Sequence, residues 1–188
     1  MESRFAMTEL EGLPDDLRER VGEVAKKSGF VPNIFRALGH RPAELRAFLD
    51  YHDALMDRAE GLTKAERELV VVATSAANHC TYCVVAHGAI LRIRAKDPYL
   101  ADQVGTNPWQ APLGERARAI VDLALALART PELFGDADMA RARAAGLTDD
   151  EIWDVGAITA LFAASNRLAH LTALKPNREF YDLGRTPR

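Results

Sequence analysis

Apolar residues recur at helical spacing over most of this chain, and its punctuation divides the pattern into helices. Pro14 with Asp15 and Asp16 opens one helix that runs to Ser28, where Gly29 is a C-terminal stop. A short helix is expected after Asn33. From Pro42, Leu45, Phe48, Leu49, His52 and Leu55 keep a helical period until Gly61. Thr63-Lys64-Ala65-Glu66 is a capping box, in which hydroxyl and carboxylate satisfy the first backbone donors reciprocally. The run Leu69-Val70-Val71-Val72 has strand-like composition. Its capped start and its length to Asn78 favour a buried helix instead. Further helices are expected from Cys80 to Ala95, Glu115 to Arg129 and Ala137 to Ala145. Asp97-Pro98 and residues 105–112 form a loose connector, and Thr130-Pro131 is a cap with a first-turn proline. The tail from Lys175 is expected to be extended or partly ordered. The fold class is all-α.

One stretch occurs twice. Gly61-Leu62-Thr63 followed by Glu66 returns as Gly146-Leu147-Thr148 followed by Glu151. The helix after the second copy, Ile152 to Ala163, then corresponds to Arg67 to Asn78, with Ser165 opposite Cys80, Leu168 opposite Cys83 and Thr172 opposite His87. We expect a single domain with an internal duplication: residues 1–97 as the active half and 113–175 as a degenerate half.

Composition adds exclusions. The 188 residues are 48% hydrophobic and 27% charged with a net charge of -3, which suits a globular protein. Opposite charges alternate, so there is no basic face for nucleic acid and no polybasic stretch for a membrane surface. The longest apolar runs are too short to span a bilayer. Early acids (Glu2, Glu9, Glu11) and no apolar signal core give a cytoplasmic expectation.

Of the candidate chemistry, the two cysteines matter most. They stand as Cys80-Thr81-Tyr82-Cys83, with His87 one turn on and Glu68 on the preceding helix. Residues three and four apart are neighbours on a helix, so Cys80, Cys83 and His87 share one stripe. That separation suits a disulfide, and a helix N-terminus, capped here by Asn78, lowers a thiol's pKa. His87 can accept or relay a proton, and Glu68 can orient it if the two helices fold back across the Asn78-His79 corner.

Glu68, eleven intervening residues and then Cys-x-x-Cys-x-x-x-His resembles the signature of the alkylhydroperoxidase D-like branch of the carboxymuconolactone decarboxylase superfamily. The match runs from Gly61 to Arg92 and resembles the bacterial peroxidase-related group. The resemblance implies an all-α homo-oligomer (dimer, trimer or hexamer) with no bound cofactor. It implies reduction of a hydroperoxide by Cys83, resolution by Cys80 to a disulfide, and regeneration by an external thiol or dithiol. Glu68 and His87 would relay protons. Where well-studied members have a histidine immediately before the second cysteine, this chain has Tyr82, a poor base near neutral pH; His79 is a candidate substitute.

Three other readings stand beside this one. The cysteines can be inert core residues. Cys80, Cys83 and His87, with Glu68 or His79, can be zinc ligands, although three positions on one helix strain a tetrahedral site. A decarboxylase-like acid–base enzyme is the third, but it has no need of the cysteine pair. His52 is an accessory candidate or a solvated histidine; His40 and His170 have no evident partner. Gly88 permits close helix packing, Trp109 and Trp153 read as core or interface, and Arg141 and Arg143 as solvent-facing.

Overall fold

A computed structural model describes residues 3–185; Met1, Glu2 and the last three residues lie outside the described residues. Ten α-helices and no strand occur among them. In chain order they are α1 (Asp15–Ser28), α2 (Asn33–Leu38), α3 (Pro42–Met56), α4 (Lys64–Ala77), α5 (Thr81–Ala95), α6 (Leu100–Thr106), α7 (Glu115–Arg129), α8 (Asp136–Ala144), α9 (Asp149–Thr172) and α10 (Glu179–Asp182). The all-α expectation therefore holds, including the buried helix over the Val70–Val72 run. No helix of the described residues is long and apolar enough to cross a membrane.

Helix α4 is the axis. Every residue from Arg67 to Ser75 is buried, because α5, α6, α7 and α9 all pack around it. A helix covered on all sides has no use for an amphipathic face, which is why its sequence lost the helical period and looked strand-like. Both capping boxes form, with Thr63 accepting from the Glu66 N–H and Thr148 from the Glu151 N–H. Arg116 on α7 joins them, reaching Glu66 at 2.7 Å and Glu151 at 2.5 Å.

Beyond the caps the two segments differ. The first breaks after Ala77 and turns a corner through Asn78 and His79, whose φ of 54° is left-handed, before α5 begins. The second continues as α9 without a break.

Two expectations need correction and two are narrowed. Asn78 ends α4 and does not cap α5; Cys80 itself is the N-cap residue of α5. The Asn78 side chain is turned instead to Asn166, to which its amide donates at 3.0 Å. The connector is less loose than expected: α6 occupies its start, and Arg118 donates to the carbonyls of Pro108 and Ala111 in the remainder. Trp109 and Trp153 are not core residues of this chain, being 59% and 73% exposed. The tail carries α10, where buried Phe180 and the Leu183 carbonyl are tied to Arg92 of α5. Arg141 and Arg143 face solvent as expected, paired with Asp138 and Asp149.

A buried ion pair locks α4 to α9. Arg67 donates to Asp154 at 3.0 Å and to the carbonyls of Leu55 and Glu60, with side-chain exposures of 0% for Arg67 and 2% for Asp154. Burial of both charges makes each dependent on the other.

Candidate active site

The corner between α4 and α5 folds the two helices back on one another and brings Glu68 to His87. Glu68 Oε2 and His87 Nδ1 lie 2.8 Å apart, with side-chain exposures of 9% and 15%. A carboxylate at Nδ1 fixes the proton there and leaves Nε2 for chemistry. The His87 ring stands edge-on to Phe162 of α9 at 4.7 Å, which limits its rotation. Cys83 is one helical turn before it on the same face.

Both thiols are free and buried, each only 2% exposed. Their environments differ. The Cys83 thiol and backbone N–H, together with His170 and the Asn166 side chain, hold the Cys80 thiol down at about 6. Cys83 moves the other way, well above the usual thiol range, because the neighbouring Cys80 competes for ionisation and burial penalises a second anion. Near neutral pH the pair thus holds one proton between two sulfurs. The helix N-terminus acts on Cys80, the N-cap residue, more than on Cys83.

The remaining sequence candidates separate cleanly. Tyr82 is buried and its hydroxyl accepts from the Ile34 N–H at 3.0 Å, with burial raising its pKa further. It fastens α2 to α5. His79 is exposed on the corner, and its left-handed backbone turns that residue out of both helices. His52 does come close, its ring 6.4 Å from that of His87 and 6.3 Å from Phe162. Its Nδ1 is 2.9 Å from Asp53, whose carboxyl His52 and Arg20 hold at about 2. His40 binds the Ala37 carbonyl at 2.8 Å. Among the described residues, no three His, Cys, Asp or Glu side chains converge as a metal-ligand group.

Sequence reasoning missed what α9 contributes. Asn166 is fully buried, donates to Ser75 Oγ at 3.1 Å, accepts from Asn78, and presents its side chain to both thiols. Ser165 Oγ lies 4.0 Å from Cys83 Sγ, and His170 Nε2 is 2.9 Å from the Asn78 carbonyl oxygen. The available signal was a Ser-Asn pair interrupting the buried stripe of Ile158, Phe162 and Ala169.

An isosteric Asn166→Asp change should therefore set an anion beside the thiols. Thiolate absorbance titrated against pH should show a first midpoint near 6 in the native protein. In the variant, that midpoint should rise by about one unit or more. An unmoved midpoint in a folded variant would remove Asn166 from thiol control.

Residues 42–98, spanning α3 to α5 and with them Glu68, Cys80, Cys83 and His87, match the carboxymuconolactone decarboxylase family. Among solved structures, the chain is similar to an uncharacterised peroxidase-related protein of Ralstonia eutropha JMP134 described as an alkylhydroperoxidase AhpD core. That pair is 53% identical, with a TM-score of 0.97 over 100% of this chain and 99% of the other. The chain belongs to the alkylhydroperoxidase D-like family of the carboxymuconolactone decarboxylase superfamily. A second peroxidase-related protein, from Silicibacter sp. TM1040, is 33% identical with a TM-score of 0.90, covering 98% and 99% of the two chains. The debrominase Bmp8 shares the fold at 17% identity and a TM-score of 0.74, over 90% of each chain. No match was found among curated proteins. For this alkylhydroperoxidase D-like chain, family membership supports a peroxidase-related role in general terms.

Proposed function

We propose that the protein is a thiol-dependent peroxidase that reduces a hydroperoxide through Cys83 and Cys80. The observation that carries this reading is the hydrogen-bonded Glu68–His87 pair one turn from two free, buried thiols on the same helix. The resting proton sits on Cys83 and the charge on Cys80; transfer of that proton to Cys80 frees the Cys83 thiolate, which attacks the terminal oxygen of the hydroperoxide. The O–O bond breaks, and the departing alkoxide takes a proton from the His87 imidazolium, which Glu68 stabilises. Cys80 then attacks the Cys83 sulfenic acid. The S–O bond breaks, the Cys80 proton leaves with the hydroxide as water, and a Cys80–Cys83 disulfide remains. An external thiol or dithiol restores the pair. Tyr82 takes no part, so the residue where relatives have histidine serves packing.

The buried, inert reading of the cysteines conflicts with the acidity of Cys80, since an isolated buried thiol is pushed up. The zinc reading is disfavoured because, among the described residues, no three His, Cys, Asp or Glu side chains converge as a ligand group, while the sulfurs face Asn166 on α9. A homo-oligomer belongs to the same reading, supported by the exposed apolar side chains of Trp153, Leu168 and Leu171 along α9.

Intact mass tests the proposal. Freshly reduced, chelator-treated protein given one equivalent of cumene hydroperoxide should lose two hydrogens and regain them with a dithiol. An unchanged mass, with zinc bound stoichiometrically before chelation, would replace thiol catalysis by metal binding.

A further inference from the structure

The thiol pair has a second approach, away from Glu68 and His87. A pocket of about 280 Å³ opens over Cys80 at the junction of α5, the end of α9 and the segment after it. Cys80 and Thr81 form one wall; Arg4, His170 and Lys175 stand around the others. Cys83 and His87 do not line it. His87 lies seven residues beyond Cys80, about 10 Å along the helix axis, so the two ends of the site face different spaces.

The electrostatics of this pocket have one sign. Among the described residues, no acidic side chain lines it. The first turn of α5 points its unpaired backbone N–H groups towards Cys80. The opposing C-terminus of α9 would ordinarily repel an anion, but its carbonyls are occupied. Arg4 Nη1 donates to His170 and Leu171 at 3.2 and 3.1 Å, and the Arg4 N–H donates to Thr172 at 2.7 Å. Those bonds leave the guanidinium charge in place, and exposed Lys175 adds a second cation. The volume falls below that of a drug-sized pocket, which fits a small thiol and excludes a folded partner inside it.

We infer that this pocket admits the reductant and selects a small thiol carrying an anionic group such as a carboxylate. The inference rests on Cys80 and Cys83 being a redox pair. The incoming thiolate attacks Cys80 Sγ, the Cys80–Cys83 bond breaks, and Cys83 departs with the proton released by the thiol. A second thiol attacks the reductant sulfur of the mixed disulfide, freeing Cys80. Two thiols are oxidised to one disulfide, and the protein pair gains their two electrons.

The test needs no peroxide. The disulfide is set with diamide, and its reduction is followed by alkylation and intact mass with 3-mercaptopropionate, 2-mercaptoethanol or cysteamine, each rate expressed per thiolate. At low ionic strength the anionic thiol should lead the cationic one by about tenfold, and added salt should narrow the gap. Lys175→Glu, an exposed change outside the catalytic machinery, should level or reverse the order. Equal rates for the three thiols, or an order that Lys175→Glu leaves intact, would overturn the pocket's role while leaving the redox pair standing. Failure of diamide to form the disulfide would overturn the redox pair and this inference together.

Discussion

Cys83→Ser is expected to lower hydroperoxide reduction by roughly a thousandfold or more, because the variant lacks the sulfur proposed to form the bond to oxygen. A serine hydroxyl is not ionised near neutral pH, and the shared proton would then reside on an isolated Cys80. Cys80→Ser should behave differently. Its Cys83 can still be oxidised once, but with no resolving thiol it should stop after one turnover and advance to the sulfinic acid under excess peroxide. His87→Ala should keep cycling at a rate about 10²–10⁴-fold lower, the usual contribution of a positioned acid. Stopped-flow peroxide consumption with intact mass at each time point separates the three. Full activity in Cys83→Ser would transfer the attack to Cys80, the more acidic sulfur, and reverse the two roles.

The second large effect is on stability and lies away from the thiols. Asp154→Ala should destabilise the fold by about 3–5 kcal/mol, since it strands the fully buried Arg67 guanidinium with only two carbonyl acceptors. Arg67 Nε already lacks a hydrogen-bond partner, so the site has nothing in reserve. The double variant Arg67→Met with Asp154→Leu removes both charges and should recover most of the loss. Urea unfolding followed by circular dichroism reads both. A loss under about 1 kcal/mol for Asp154→Ala would mean that water reaches Arg67 in the native state.

These two effects differ in how far the sequence reveals them. Glu68, Cys80, Cys83 and His87 are legible because their relations are local: helical spacing and one corner fix them before any tertiary packing is known. The capping boxes are legible for the same reason. Arg67–Asp154 is not, because its partners are 87 residues apart and each lies close to other charged residues near a helix start, where a solvent-facing charge is the ordinary reading. Asn78 was misread because a residue between two helices can end one or begin the other, and only its contact with Asn166 decides. The helix α9 residues escaped for a related reason. Read as the degenerate half, they were expected to fill space, and that expectation hid Asn166 beside the sulfurs. We further propose that residues 1–97 and 113–175 descend from one unit, the second having straightened the corner that the first retains.

That straightening has a mechanical consequence. A single unbroken rod carries Asp154, Phe162, Ser165, Asn166 and His170, so the charge lock, the imidazole's wall, the thiol contacts and the rim of the outer pocket share one register. Axial slippage or rotation of α9 would therefore retune all of them together. Variation confined to this helix can adjust the reactivity of sulfurs it does not bear, and a search for altered peroxide or reductant preference is best begun there.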